Sequence, residues 1–198
     1  VLPLPHDSHP PLHNRQERRP ITIGVVGHQR PDKGYHHLPD LARQLLAADP
    51  GVRFLIQNSV PADMPRTHEA MRELARSESR IEIDERAVGG ADWAAVLRRC
   101  DLMLCPYDPQ RYIASYSAVA TDAVANGIPL VVPQGMSMAR LLAKYGDPGV
   151  AYVGNDVASI LDATRRALDQ FDVLAARADR AAAKWNATMG AANTAKAI

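Results

Sequence analysis

The octapeptide GHQRPDKG, residues 27–34, sets two cations, Arg30 and Lys33, between two glycines and directly after the apolar run ITIGVV (21–26). A strand that ends in a glycine and leads through a polar loop into a helix has an anion-binding shape. The first N–H groups of the helix lack partners and carry partial positive charge. Arginine grips phosphate oxygens with two parallel bonds, whereas lysine acts as a point charge. A diphosphate therefore suits the loop. The same residues also read as a solvated loop, with Arg30 and Lys33 as surface charges and His28 as a surface polar group. The stretch is neither a G-x-G-x-x-G fingerprint nor a phosphate loop ending in G-K-[ST], so no motif supports a dehydrogenase or an ATPase.

A second polar cluster occupies CPYDPQRYIASYSAVATDAVANGIPLVVP, residues 105–133. Ser115 or Ser117 is placed to cap or line a helix start. Gly127 closes that helix. Asp122 lies on it beside apolar neighbours, either as part of a solvated face or as a carboxylate able to accept both hydrogen bonds of a ribose diol. His6, His9 and His13 would gather on one helix face, but prolines around them forbid a helix and leave them in solvated loop.

These groups need elements to hold them. Continuous apolar runs at 21–26, 52–57 (VRFLIQ), 101–106 (DLMLCP), 129–133 (PLVVP) and 150–153 (VAYV), with a weaker one at 80–84 (RIEID), suit strands covered on both faces. Helical stripes lie between them: Leu38, Leu41, Ala42, Leu45 and Leu46; Trp93, Val96 and Leu97; Tyr116, Val119, Ala120, Ala123 and Val124; Val157, Ile160, Leu161 and Leu168. Leu141 and Leu142 mark a short helix before the last strand. Strand and helix alternate, which predicts an α/β, Rossmann-like, doubly wound parallel sheet of about six strands with helices on both faces. Trp93 and Trp185 sit at helical spacing among apolar neighbours and read as core. Residues 1–20, with five prolines, read as a linker or hinge; 21–171 as the folded domain; 172–198, rich in alanine and charge, as a helical tail that frays.

Composition agrees with this frame. Apolar residues make up 46% of the 198 and aromatics only 5%, which favours helices on a sheet over a β-sandwich. A net charge of +1 gives no global field for nucleic acid, so an anion site must be local. Cys100 and Cys105 read as buried thiols in a reducing compartment, which implies a cytoplasmic protein. No run reaches membrane-spanning length and no signal peptide is visible. The chain begins at Val1, as a piece of a longer protein would.

The order strand–G-x-x-R-x-x-K-G–helix, then DLMLCPY, then TDAVANGIPLVVP, resembles the carboxyl-terminal half of a GT-B glycosyltransferase of the large retaining group. The likeness covers residues 21 to about 170, and VLPLP is similar to the hinge joining the halves of such enzymes. The resemblance implies a domain that binds a nucleotide-diphospho-sugar donor, needs no metal or other cofactor, and works against an acceptor (glycan, lipid or small molecule) held by an amino-terminal domain. It leaves peripheral membrane association open. It implies that Arg30 and Lys33 hold the diphosphate and steady the leaving group, and that Gly27 and Gly34 let the backbone come close. It sets Ser117 near the phosphates and Asp122 in the place of the glutamate that grips the ribose. The pattern departs at three positions. Ala114 stands where the first glutamate is expected, leaving Tyr112, Ser115 or Asp108 to take over. Asp122 is one methylene short. His28 stands in place of an arginine. The alternative is a non-catalytic relative that keeps the fold and a nucleotide site. A receiver domain ranks lower, because VVGHQR has no acid after the first strand.

Overall fold

A computed structural model describes residues 20–112 and 116–189. The proline-rich arm before residue 20, the stretch holding Ala114 and Ser115, and residues 190–198 lie outside the described residues.

Six strands form one parallel sheet: β1 (Ile21–Val25), β2 (Val52–Gln57), β3 (Ile81–Asp84), β4 (Leu102–Leu104), β5 (Leu130–Pro133) and β6 (Gly149–Tyr152). Their order is β3-β2-β1-β4-β5-β6. Ile23 of β1 stands beside Phe54 of β2 on one side and Leu102 of β4 on the other. The winding therefore reverses between β1 and β4, and a crevice opens outside their carboxyl ends. All six runs read as strands from the sequence are strands, including the weak RIEID.

Seven helices connect or flank the strands: α1 (Leu38–Ala48), α2 (Pro65–Ser77), α3 (Ala91–Arg98), α4 (Ala118–Ala125), α5 (Ser137–Lys144), α6 (Val157–Asp169) and α7 (Phe171–Met189). One core layer joins Ile23, Val25, Phe54 and Ile56 to α1, α2 and α6. The other joins Leu55, Met103, Leu130 and Val132 to α3, α4, α5 and the far half of α7. Both faces of the sheet are thus covered, which is why its strands are apolar throughout. Gly24 interrupts β1 because its neighbour is so close: a Cβ there would stand 2.4 Å from Cys100 Sγ.

Two elements depart from the sequence reading. The helix α2, which the sequence reading did not single out, has a short apolar stripe: Met71 is buried, and Leu74 and Ala75 pack against the same core layer. Pro65 starts it, and the need to cross from β2 back to β3 makes a helix there. The segment read as a fraying tail is instead, as far as Met189, one packed helix of 19 residues. Its alanines 175, 178, 181 and 182 are buried, and small side chains let it lie close against the domain. Trp185 is 2% exposed and meets the Tyr145 ring at 5.1 Å, core as expected.

Candidate functional site at the carboxyl ends of β1 and β4

The loop after β1 is tied to its neighbours by hydrogen bonds within the protein. Gly27 takes φ 94°, and its amide donates to Gln57 Oε1 at 2.7 Å. Gln57 Nε2 donates in turn to the Arg86 carbonyl at 2.9 Å, which ties the β1 loop to the loop after β3. The Gln29 side chain is buried beneath, donating to the carbonyls of Gly27 (3.0 Å) and Gln57 (3.1 Å). Two short 3-10 turns follow, Pro31–Lys33 and Tyr35–His37, with Gly34 between them at φ 68°. A Cβ on Gly34 would stand 1.8 Å from the Pro106 carbonyl oxygen, so only glycine lets this loop rest on the end of β4.

Arg30 and Lys33 both reach the crevice, but differently. An Arg30 terminal nitrogen donates to Asp32 Oδ2 (3.0 Å) and to the Tyr112 hydroxyl (2.9 Å). The Tyr112 bond raises the arginine's pKa, while the Arg30 Nε is buried and finds no hydrogen-bond partner among the described residues. The Lys33 ammonium lies 3.6 Å from where a Cβ on Gly27 would stand and 5.6 Å from the centre of the Tyr107 ring. Among the described residues no carboxylate pairs with it. Burial, the largest cause, pushes its pKa down and Arg30 pushes the same way, while Cys105 and Asp32 push it up. An arriving anion would favour the charged form. Tyr107 and Tyr112 pack with ring centres 4.7 Å apart, and burial raises both phenol pKa values. Cys105, completely buried beside Lys33, is pushed up to about 12 by burial. Both cysteines are free and buried, as the sequence implied.

The helix α4 forms the other wall. Ser117 is its cap, accepting from the Ala120 amide at 3.2 Å. Its hydroxyl therefore serves the helix start. Val119 packs 3.3 Å from the Cβ position of Gly27. Asp122 accepts a hydrogen bond at Oδ2 from the Trp93 indole (2.8 Å). Trp93 is half-buried rather than fully core, its ring packed on the apolar layer and its N–H turned to that carboxylate.

Gly27, Arg30, Lys33, Gly34, Tyr112 and Ser117 thus converge on the β1–β4 crevice. His28 points instead to Asp63 in the β2–α2 loop, at 2.5 Å. Glu85 and Arg86, beside the crevice, are each engaged: Arg86 by Asp84 (2.7 Å), Glu85 by Arg72 (2.6 Å) and His68 (2.9 Å). His68, 2% exposed, also meets the Tyr35 hydroxyl (3.0 Å) and the Asn58 amide (3.1 Å) at Nδ1. Gln29, Gln57, Tyr107 and His68 were not singled out from the sequence. Only Gln57, a polar end to an apolar strand, left a sign there. Among the described residues no three His, Cys, Asp or Glu side chains gather as a metal site, and no helix is long and apolar enough to cross a membrane.

A parallel sheet of this order, with its winding reversed between β1 and β4, places the chain in the doubly wound α/β class. Solved structures narrow this. Sucrose-phosphate synthase from Thermosynechococcus elongatus superimposes with a TM-score of 0.68 at 17% identity, over 90% of this chain and 43% of that one. HepE of Anabaena, solved with UDP-glucose, gives 0.69 at 18%, over 89% and 47%. The carboxyl-terminal domain of the group 1 glycosyl transferase LpcC from Francisella tularensis gives 0.68 at 13%, over 96% of both chains. The chain therefore has the fold of the carboxyl-terminal half of GT-B glycosyltransferases, and it spans less than half the length of the two longer enzymes. No family model matches it, and no curated protein matches it in sequence.

Proposed function

We propose that this chain is the donor-binding half of a glycosyltransferase that moves a sugar from a nucleotide-diphospho-sugar to an acceptor held by an amino-terminal domain. The observation that carries this is Lys33. Its ammonium sits half-buried near the end of β1, beside Gly27 and over Tyr107, and among the described residues no carboxylate forms an ion pair with it. A lysine kept short of counter-charge in a crevice is suited to an anion that arrives. The structural neighbour HepE, solved with UDP-glucose, supports the same choice of guest.

In this reading Lys33 and Arg30 bind the diphosphate and stabilise the charge that develops on it as the glycosidic bond breaks. Arg30 exchanges part of its bonding to Asp32 for phosphate oxygens, while Tyr112 keeps its guanidinium in place. Gly27 and Gly34 bring backbone close to the ligand, and Asp122 accepts from the ribose. The two cations supply the charge, so no metal is invoked. The acceptor half supplies the positioning that makes transfer fast. The protein would work in the cytoplasm.

Calorimetric titration with UDP, GDP and ADP tests this, beside Lys33→Ala and Asp122→Ala. One nucleotide is expected to bind, with Lys33→Ala weakening it about tenfold or more, the worth of a hydrogen bond to a charged group. Absence of binding by all three nucleotides at millimolar concentration would overturn the proposal. Ala114 in the place of the family's first glutamate favours one alternative, a relative that binds donor without transferring it. Binding without any transfer by the full-length protein would identify that case.

A further inference from the structure

The bond between Trp93 and Asp122 joins two helices that both begin at the carboxyl edge of the sheet. Trp93 is in the first turn of α3, Asp122 in the second turn of α4, and 29 residues separate them in sequence. An indole N–H only donates, and an aspartate at this position only accepts, so the pair has one arrangement. The ring itself is held by packing against the α3–α4 apolar layer. One turn before Asp122, Val119 packs against the Gly27 loop, so α4 carries this carboxylate beside the diphosphate crevice.

Aspartate is a short side chain, with little reach to spare. A carboxylate has about four lone-pair positions, so one that accepts from an indole still serves as an acceptor for a diol. What the indole adds is direction. It holds Oδ2 toward α3, and ordering that oxygen in advance lowers what binding would otherwise have to bear.

We infer that Trp93 is a positioning residue for ribose recognition: its indole N–H orients the Asp122 carboxylate toward the 2′ and 3′ hydroxyls of the nucleotide, and so sets a preference for ribonucleotides over nucleotides lacking that diol. The inference rests on the donor-site reading above. Trp93 touches the ligand only through Asp122, so it differs from a tryptophan on which a base stacks. It differs too from a plain staple between α3 and α4, which would serve all nucleotides alike.

The experiment compares the nucleoside diphosphate that binds best with its 2′,3′-dideoxy form, on the wild-type chain, Trp93→Phe, Asp122→Ala and the double variant. Trp93→Phe is expected to weaken the ribonucleotide about five- to tenfold, the scale of one hydrogen bond, and to leave the dideoxynucleotide within about twofold. The two substitutions together are expected to cost little more than Asp122→Ala alone, because each removes the same interaction. The wild-type protein gives a second readout that does not depend on a variant folding. With 15N-labelled tryptophan, the Trp93 indole resonance is expected to shift on addition of the ribonucleotide and not of the dideoxynucleotide. Equal weakening of both ligands by Trp93→Phe, or equal indole shifts with both, would assign the residue to stacking or stapling and overturn the inference. So would a Trp93→Phe chain that keeps full ribonucleotide affinity while Asp122→Ala loses it. In each of those cases the nucleotide still binds, and the donor-site reading survives. If no nucleotide binds, that reading fails and this inference falls with it.

Discussion

At the scale of single residues, Gly34 explains why the β1 loop can form at all. Its φ of 68° and the 1.8 Å separation between a would-be Cβ and the Pro106 oxygen are independent obstacles to any side chain. Gly34→Ala is therefore expected to cost about 3 kcal/mol or more, from the left-handed backbone and the forced shift together. Gly27→Ala has the backbone obstacle at φ 94° but meets no backbone, only a valine methyl at 3.3 Å and the end of the Lys33 side chain at 3.6 Å, so it should cost distinctly less. Urea unfolding of both variants measures the difference. Equal costs would mean that the Gly34–Pro106 approach does not constrain the loop. Both glycines, and the cations between them, were legible in the sequence because residue type and spacing carry them. The partners were not. Nothing in a linear sequence says that Arg30 will meet Tyr112, 82 positions away, or that Asp122 will meet an indole.

At the scale of elements, the six strands and four of the helices were visible as apolar periodicity, and α5 as a leucine pair. The helix α2 was missed although it has a short apolar stripe, because Met71, Leu74 and Ala75 stand among charged residues and the helix is polar on average. Polar bonds add to that packing. Arg72 bonds both oxygens of Glu85, at 2.7 and 2.6 Å, and His68 adds a third bond at 2.9 Å. These bonds, Arg72 foremost, hold the Glu85 pKa at about 2 against an ordinary 4.5. A carboxyl depressed by folding stabilises the fold above its unfolded pKa and loses that contribution as pH falls toward the folded value. The link between α2 and the β3–α3 loop should therefore be intact from neutral pH to about 4.5 and gone near 2. Glu85 is 36% exposed, so solvent screens the pair and the effect is modest. Comparing the urea midpoints of wild type and Glu85→Gln across that acid range checks this. The gap between them should close as pH falls, and a gap that does not change with pH would show that ionisation of Glu85 does not hold α2.

At the scale of the whole molecule, one sheet is shared by two apolar layers, and neither layer has a sheet of its own. Loss of either layer exposes strands that the other still covers, so the described residues should unfold as one unit. The two tryptophans are well placed to test this. Trp93 reports on the α3–α4 wall of the proposed donor site, while Trp185 reports on α7 against Tyr145. In Trp185→Phe and Trp93→Phe chains, the remaining tryptophan's fluorescence and the far-UV circular dichroism should give coincident denaturation midpoints. A nucleotide that binds only the folded chain then acts on every probe. At a free concentration one hundred times its dissociation constant it should add about 2.7 kcal/mol to the unfolding free energy. The Trp185 signal should move as far as the circular dichroism does, although Trp185 is packed against α5 and not against the crevice. A ligand that shifted only the Trp93 transition would mean that the crevice orders locally on binding. The hydrogen bonds that tie the β1 loop through Gln57 and Gln29 argue for the first outcome.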